Sequence, residues 1–170
     1  MWFILTILIF IVTIGVTVGG LLVAPKEQIR PLQLILLTVC FTLLCYLGML
    51  TGMFLTGWIS LRLLDYLVAV VALLFIVASM RRFHPTLGFF HPDDRIVVSL
   101  LAFLFFLMGV EWGLIELRTF FTLFVSVLFA AALILGVFIQ IQIRQVLWRY
   151  TYIAFTPLVW LLFVTIMKLL

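Results

Sequence analysis

Residues 34–50 read LILLTVCFTLLCYLGML, and a helix drawn through them is apolar on every face. Residues 100–110, LLAFLFFLMGV, behave in the same way. A helix without a polar face belongs among other helices and lipid. The alternative spanning architecture, a β-barrel, needs short strands that alternate apolar and polar residues, which these runs do not. Working outward from 34–50, the apolar character continues from Leu32 to Met80. One helix of that length would be roughly 73 Å long at about 1.5 Å per residue, more than twice the hydrocarbon thickness of a bilayer. The chain must turn back, and GWISLRLLD (Gly57 to Asp65) is where polar and turn-forming residues permit it.

The rest of the chain divides in the same way. PKEQIRP (Pro25 to Pro31) ends a first run from Trp2 to Val23, and Pro31 suits the first turn of the next helix, where no amide donor is needed. RRFHPTLGFFHPDDR (Arg81 to Arg95) is the longest polar stretch, with Asp93 or Asp94 placed to cap the fourth helix. IRQVLWR (Ile143 to Arg149) splits the last apolar region. The expectation is an all-α, polytopic membrane bundle of six transmembrane helices, at about 2–23, 32–56, 63–80, 95–116, 119–142 and 149–169. Pro157 falls within the sixth and is expected to kink it. Residues 1–170 are read as a single transmembrane domain: a first half 1–80, a cytoplasmic loop 81–94 and a second half 95–170.

Composition agrees. Of 170 residues, 68% are hydrophobic and 9% charged, with a mean hydropathy of +1.47. A soluble domain carries about one-quarter charged residues to hold its water. The solvent of this chain is therefore lipid. Its net charge of +4 does not point to nucleic acid, because the basic residues punctuate the ends of apolar runs instead of gathering on one surface. They set topology. Lys26, Arg30, Arg81, Arg82, Arg95, Arg144 and Arg149 fall on one side, against Arg62, Arg118 and Lys168 on the other. The richer side is cytoplasmic by the positive-inside rule, which puts both termini on the non-cytoplasmic side. No Lys or Arg precedes the first run, so it is read as a permanent span and not a cleavable leader.

Candidate functional residues are few. Gly15/Gly19, Gly48/Gly52 and Gly109/Gly113 are pairs spaced by four, the spacing that lets membrane helices approach closely or line a substrate path. Glu111, in MGVEWGLIELR, is the acidic residue nearest to the membrane interior, and an ionisable group there is a functional candidate by default. Its distance from Arg95, roughly 24 Å along a helix, and the neighbouring Trp112 place it at the outer interface, in reach of water. Arg62 and Asp65 are expected to pair at the outer end of the third span, with Lys168 outside as well. Cys40 and Cys45 point to faces roughly 140° apart on one helix and cannot bridge; they are read as small packing residues. His84 and His91 belong to a solvated loop whose spacing matches no metal pattern. Nothing suggests a nucleophile elbow, a phosphate loop or a pair of buried carboxylates. No residue is expected to act in catalysis, to hold a metal or to bind a cofactor.

Internal repetition is visible as well. Gly15 and Gly19 match Gly109 and Gly113; Gly48 matches Gly136; Tyr66 and Met80 stand opposite Tyr152 and Met167 at nearly one offset. Two three-span halves would run in opposite directions, a frequent transporter plan. The segment LGMLTGMFLTGWISLRLLDYLVAVVALLFIVASM, together with TIGVTVGGLLVAPKEQIRP, resembles the manganese-efflux proteins of the lysine-exporter superfamily in glycine spacing and hydropathy. The resemblance implies six spans in two inverted halves. Those exporters bind metal through aspartates in spans one and four, but FIVTIGVTVGG and LAFLFFLMGVEWG contain none, and Glu111 is the single acid. Neither stretch has the cysteine that the related thiol-reductant carriers need. The resemblance therefore carries over the fold and no functional residue.

Two functions are expected to compete. Short loops, spans without charge at their middles and an aromatic- and Met-rich surface (18 Phe, 4 Tyr and 6 Met) suit a non-catalytic subunit that scaffolds a larger membrane complex, with lipid and other membrane subunits as partners. The inverted halves suit a transporter of a small solute or ion.

Overall fold

The computed structural model describes residues 2–23, 31–56, 58, 60–82, 95–115, 117, 119–146 and 155–169. They form six α-helices: α1 (Trp2–Val23), α2 (Pro31–Leu55), α3 (Leu61–Arg81), α4 (Arg95–Leu114), α5 (Thr119–Val146) and α6 (Thr156–Leu169). The first five are long and apolar enough to cross a membrane, and α6 is a shorter apolar helix of 14 residues. Five such helices make a multi-pass membrane protein.

The turn between α2 and α3 lies where the length argument demands it. Ser60 ends it as the N-cap of α3, its hydroxyl accepting from the Leu63 amide. α5 runs on to Val146, past the expected break at Ile143, because Arg144 has a partner: its Nη1 donates to the carbonyl oxygen of Val23 at 3.2 Å, satisfying the open C-terminus of α1. Pro157 has its expected kink outside the described residues, which resume only at Phe155. It stands in the first turn of the described α6, where a missing amide costs nothing. The loop with His84, His91, Asp93 and Asp94 lies outside the described residues, as do Glu116 and Arg118.

The principal contacts are α2 on α4 and α1 on α5, followed by α3 on α4, α1 on α6, α3 on α6 and α2 on α5. Glycine makes the two largest possible. A Cβ added to Gly48 would collide with the Phe106 carbonyl, one on Gly52 with the Val110 carbonyl, and ones on Gly109 and Gly113 with the carbonyls of Cys45 and Met49. On the other pair, Gly15 faces Phe129 and Ala132, Gly19 faces Leu133, and Gly136 faces Val16. In lipid, where apolar side chains gain nothing by leaving one neighbour for another, this backbone-to-backbone approach supplies the attraction. In the α2/α4 pair, residue numbers rise together, so those helices are parallel. α1 and α6 are antiparallel, with Thr17 beside Pro157 and Phe10 beside Lys168. Both directions are those of a chain that reverses at every connection.

At the centre lies an aromatic slab. The rings of Phe41 (α2) and Phe129 (α5) stack at 3.9 Å and 6°. Phe105 (α4) meets both edge-on, at 4.9 Å and 5.4 Å, and Trp112 extends the group to Phe121 at 5.7 Å. Offset and edge-to-face pairs of this kind add about 0.5–1.5 kcal/mol each beyond their area.

Candidate ionic site between α3, α4 and α6

Chain reversal brings the last turn of α4, the second turn of α3 and the last turn of α6 to one end of the bundle. Each contributes a charged side chain. Lys168 Nζ donates to Glu111 Oε1 at 2.8 Å and to Oε2 at 2.7 Å, and it lies 3.3 Å from Asp65 Oδ1. The Phe10 ring of α1 covers the ammonium, 4.8 Å from its centroid. Glu111 is 1% exposed, the Lys168 side chain 3% and the Asp65 side chain 22%. Asp65 Oδ1 is itself buried and has no hydrogen-bond partner, although its distance to Nζ makes an ion pair. We read the contact as electrostatic attraction without a directed hydrogen.

This corrects three expectations. Glu111 does not meet water or headgroups; a 57-residue sequence separation hides its partner, Lys168. Asp65 turns to Lys168, and Arg62 faces outward as an exposed residue. Two largely buried carboxylates do share one site. Burying an isolated ionised carboxylate in an apolar medium costs tens of kcal/mol by ideal solvation arguments, so such a group survives only when paired. Here the pairing is bidentate, charge-assisted and backed by a ring face, each of which strengthens it.

The six candidate glycines are all buried at the helix crossings described above. Glu111 follows Gly109 by two positions and turns away from α2, toward α3 and α6. The sulfur of Cys45 is buried and donates to the Phe105 carbonyl at 3.2 Å, while Cys40 is exposed; both are free. Among the described residues, no three His, Cys, Asp or Glu side chains gather as a metal ion would require. The opposite end of the bundle carries polar contacts between α1 and α6. Thr17 donates to the Pro157 carbonyl at 3.2 Å, and Gln140 is buried near Gly20. An apolar groove of about 450 Å³ opens between α1, α5 and α6, with Val12, Thr13, Phe124 and Trp160 among its walls.

One sequence signal for the site existed. Pro157, Leu161, Thr165 and Lys168 recur at helical spacing, which is the buried stripe of α6. No protein-family model, curated protein or solved structure matches this chain.

Proposed function

We propose that the chain is a transporter of a small solute or ion, with six membrane spans in two inverted three-helix halves, 1–80 and 95–170. One observation carries this reading. Phe41 and Phe129, whose rings stack on each other, are separated by the same 88 positions as Gly48 and Gly136. Equivalent residues of two related halves meet only on the two-fold axis that relates them. The glycine contacts follow the same rule: Gly48 meets Val110 and Gly136 meets Val16, and Val16 to Val110 spans the 94 positions that separate Gly15 from Gly109. Exchanging α1 with α4, α2 with α5 and α3 with α6 maps the set of principal contacts onto itself, with α2 on α5 and α3 on α6 unchanged. The resemblance to the manganese-efflux proteins implies the same plan. The Glu111–Lys168–Asp65 cluster supplies what such a machine needs, ionisable groups held inside the bundle. The distribution of Lys and Arg favours termini on the non-cytoplasmic side.

The test is flux. Purified protein in liposomes should carry at least one member of a panel of metal ions, small neutral solutes and amino acids above the rate of empty vesicles. Background flux across the panel removes the transporter reading. Labelling of single cysteines introduced in 81–94 should occur from the cytoplasmic face alone.

The membrane-subunit reading draws on α2. It buries little of its surface, and Leu32, Leu36, Leu43 and Phe54 are exposed on it. Purification in mild detergent that yields a monomer alone counts against that role.

A further inference from the structure

We propose that the groove between α1, α5 and α6 holds an acyl chain of a phospholipid from the leaflet at the Lys168 end of the bundle. Depth in the membrane decides what surrounds it. The floor runs along α1 from Leu8 to Val16, one wall is α5 from Phe124 to Leu128, and Trp160 of α6 stands on the far side. Phe124 lies roughly 8 Å along α5 from its start at Thr119, and Val16 roughly 21 Å along α1 from Trp2. Against a hydrocarbon core of about 30 Å, the groove begins below the headgroups of one leaflet and reaches the midplane.

Chemistry and size then choose the occupant. A buried water needs about two to four polar partners. Here the walls are aliphatic and aromatic, and the Thr13 hydroxyl already donates to the Ile9 carbonyl at 2.8 Å. Hydrocarbon remains. The groove holds about 450 Å³ along roughly 12 Å of α1, which leaves it narrower than the about 10–12 Å breadth of a helix with its side chains. A partner helix, or a second copy of this chain, would bridge the opening without filling it. An extended acyl chain lies in it lengthwise, each methylene gaining dispersion contacts with the walls. The rim faces lipid, since Phe124 and Trp160 are 59% and 58% exposed, so the chain enters sideways.

The other half of the molecule indicates how such a groove is filled from within. On the inverted-repeat plan, Ile9 and Val12 correspond to Phe103 and Phe106 of α4, 94 positions on. There the protein supplies rings of its own, and Phe106 packs against the core. The groove and its occupant stand without that plan, which serves only to choose the substitutions.

Photolabelling of the full chain in vesicles tests the proposal. Phosphatidylcholine with a diazirine halfway along one acyl chain should label Val12, Thr13 and Leu128 more strongly than the lipid-facing Leu36 and Leu43 of α2. Ile9→Phe with Val12→Phe should lower groove labelling about tenfold, equivalent to about 1.4 kcal/mol of affinity, and leave α2 labelling as it was. Should that pair fail to fold, Leu128→Phe fills the groove from α5 and is read in the same way. Groove labelling no stronger than that of α2, or unchanged in the filled variant, overturns the proposal. So does a disulfide between two copies of Val12→Cys in a Cys40→Ser background, which would seat a second copy there. Each of these readouts is independent of flux, so the transporter reading stands or falls separately.

Discussion

The two ends of the bundle are joined by close helix packing and by different described polar groups. At one end α4 packs against α3 and α6 through Glu111, Asp65 and Lys168; at the other α1 packs against α6 through Thr17 and the Pro157 carbonyl. Thr17 and Glu111 are separated by the same 94 positions as Gly15 and Gly109, so on the inverted-repeat plan proposed above they stand at equivalent places. On that plan one backbone geometry carries a hydroxyl on one side and a carboxylate on the other. Packing can be repeated because glycine against carbonyl works equally well in either direction. Where α3, α4 and α6 meet, the helices bring three charges together.

Four measurements sharpen or break this comparison. The largest effect is expected at Lys168: replacement by Met strands two buried carboxylates and should destabilise the folded protein by about 3–5 kcal/mol, read by unfolding in lipid or detergent. Adding Glu111→Gln to it should recover much of that loss, and a double variant as unstable as the single one would deny that charge is the issue. Next come the glycine crossings. Gly113→Leu and its counterpart Gly19→Leu each drive a side chain into a carbonyl and should cost about 1–3 kcal/mol, similarly at both ends. A large inequality would break the structural likeness. The Phe41–Phe129 stack should show a coupling of about 1 kcal/mol in a double-mutant cycle with Leu. Smallest is Thr17→Val, which removes one interhelical hydroxyl bond and should cost about 0.6 kcal/mol by the same unfolding assay. A cost near that of Lys168→Met would mean that the two ends are not so different.

Much of the fold is legible in the sequence because bilayer thickness acts as a ruler. It forces Leu32 to Met80 to turn, and α2 and α3 break within the residues that GWISLRLLD marks. Glycines at intervals of four announce close crossings, since no side chain can substitute there. Facing between helices is another matter. Asp65, Glu111 and Lys168 lie on three helices, and nothing local in any of them reports the rotation of the other two. A length count along α4 puts Glu111 near the helix end correctly, but depth along a helix says nothing about which way a residue faces. Lys168 looks like a topological charge near the end of its span, because a lone cation after an apolar run usually is one.

The face-to-face rings of Phe41 and Phe129 have a consequence for how such a chain can be assembled. A stack made of matching positions requires of each half only what the other half also offers. On the inverted-repeat plan proposed above, residues 1–82 produced as a separate polypeptide would find their missing surface on a second molecule of themselves inserted upside down, Phe41 lying on Phe41. On that plan, joining the two pieces into one polypeptide fixes their opposite insertion, and in this chain the second supplies Glu111 and Lys168 while the first supplies Asp65 and the ring that shelters the ammonium.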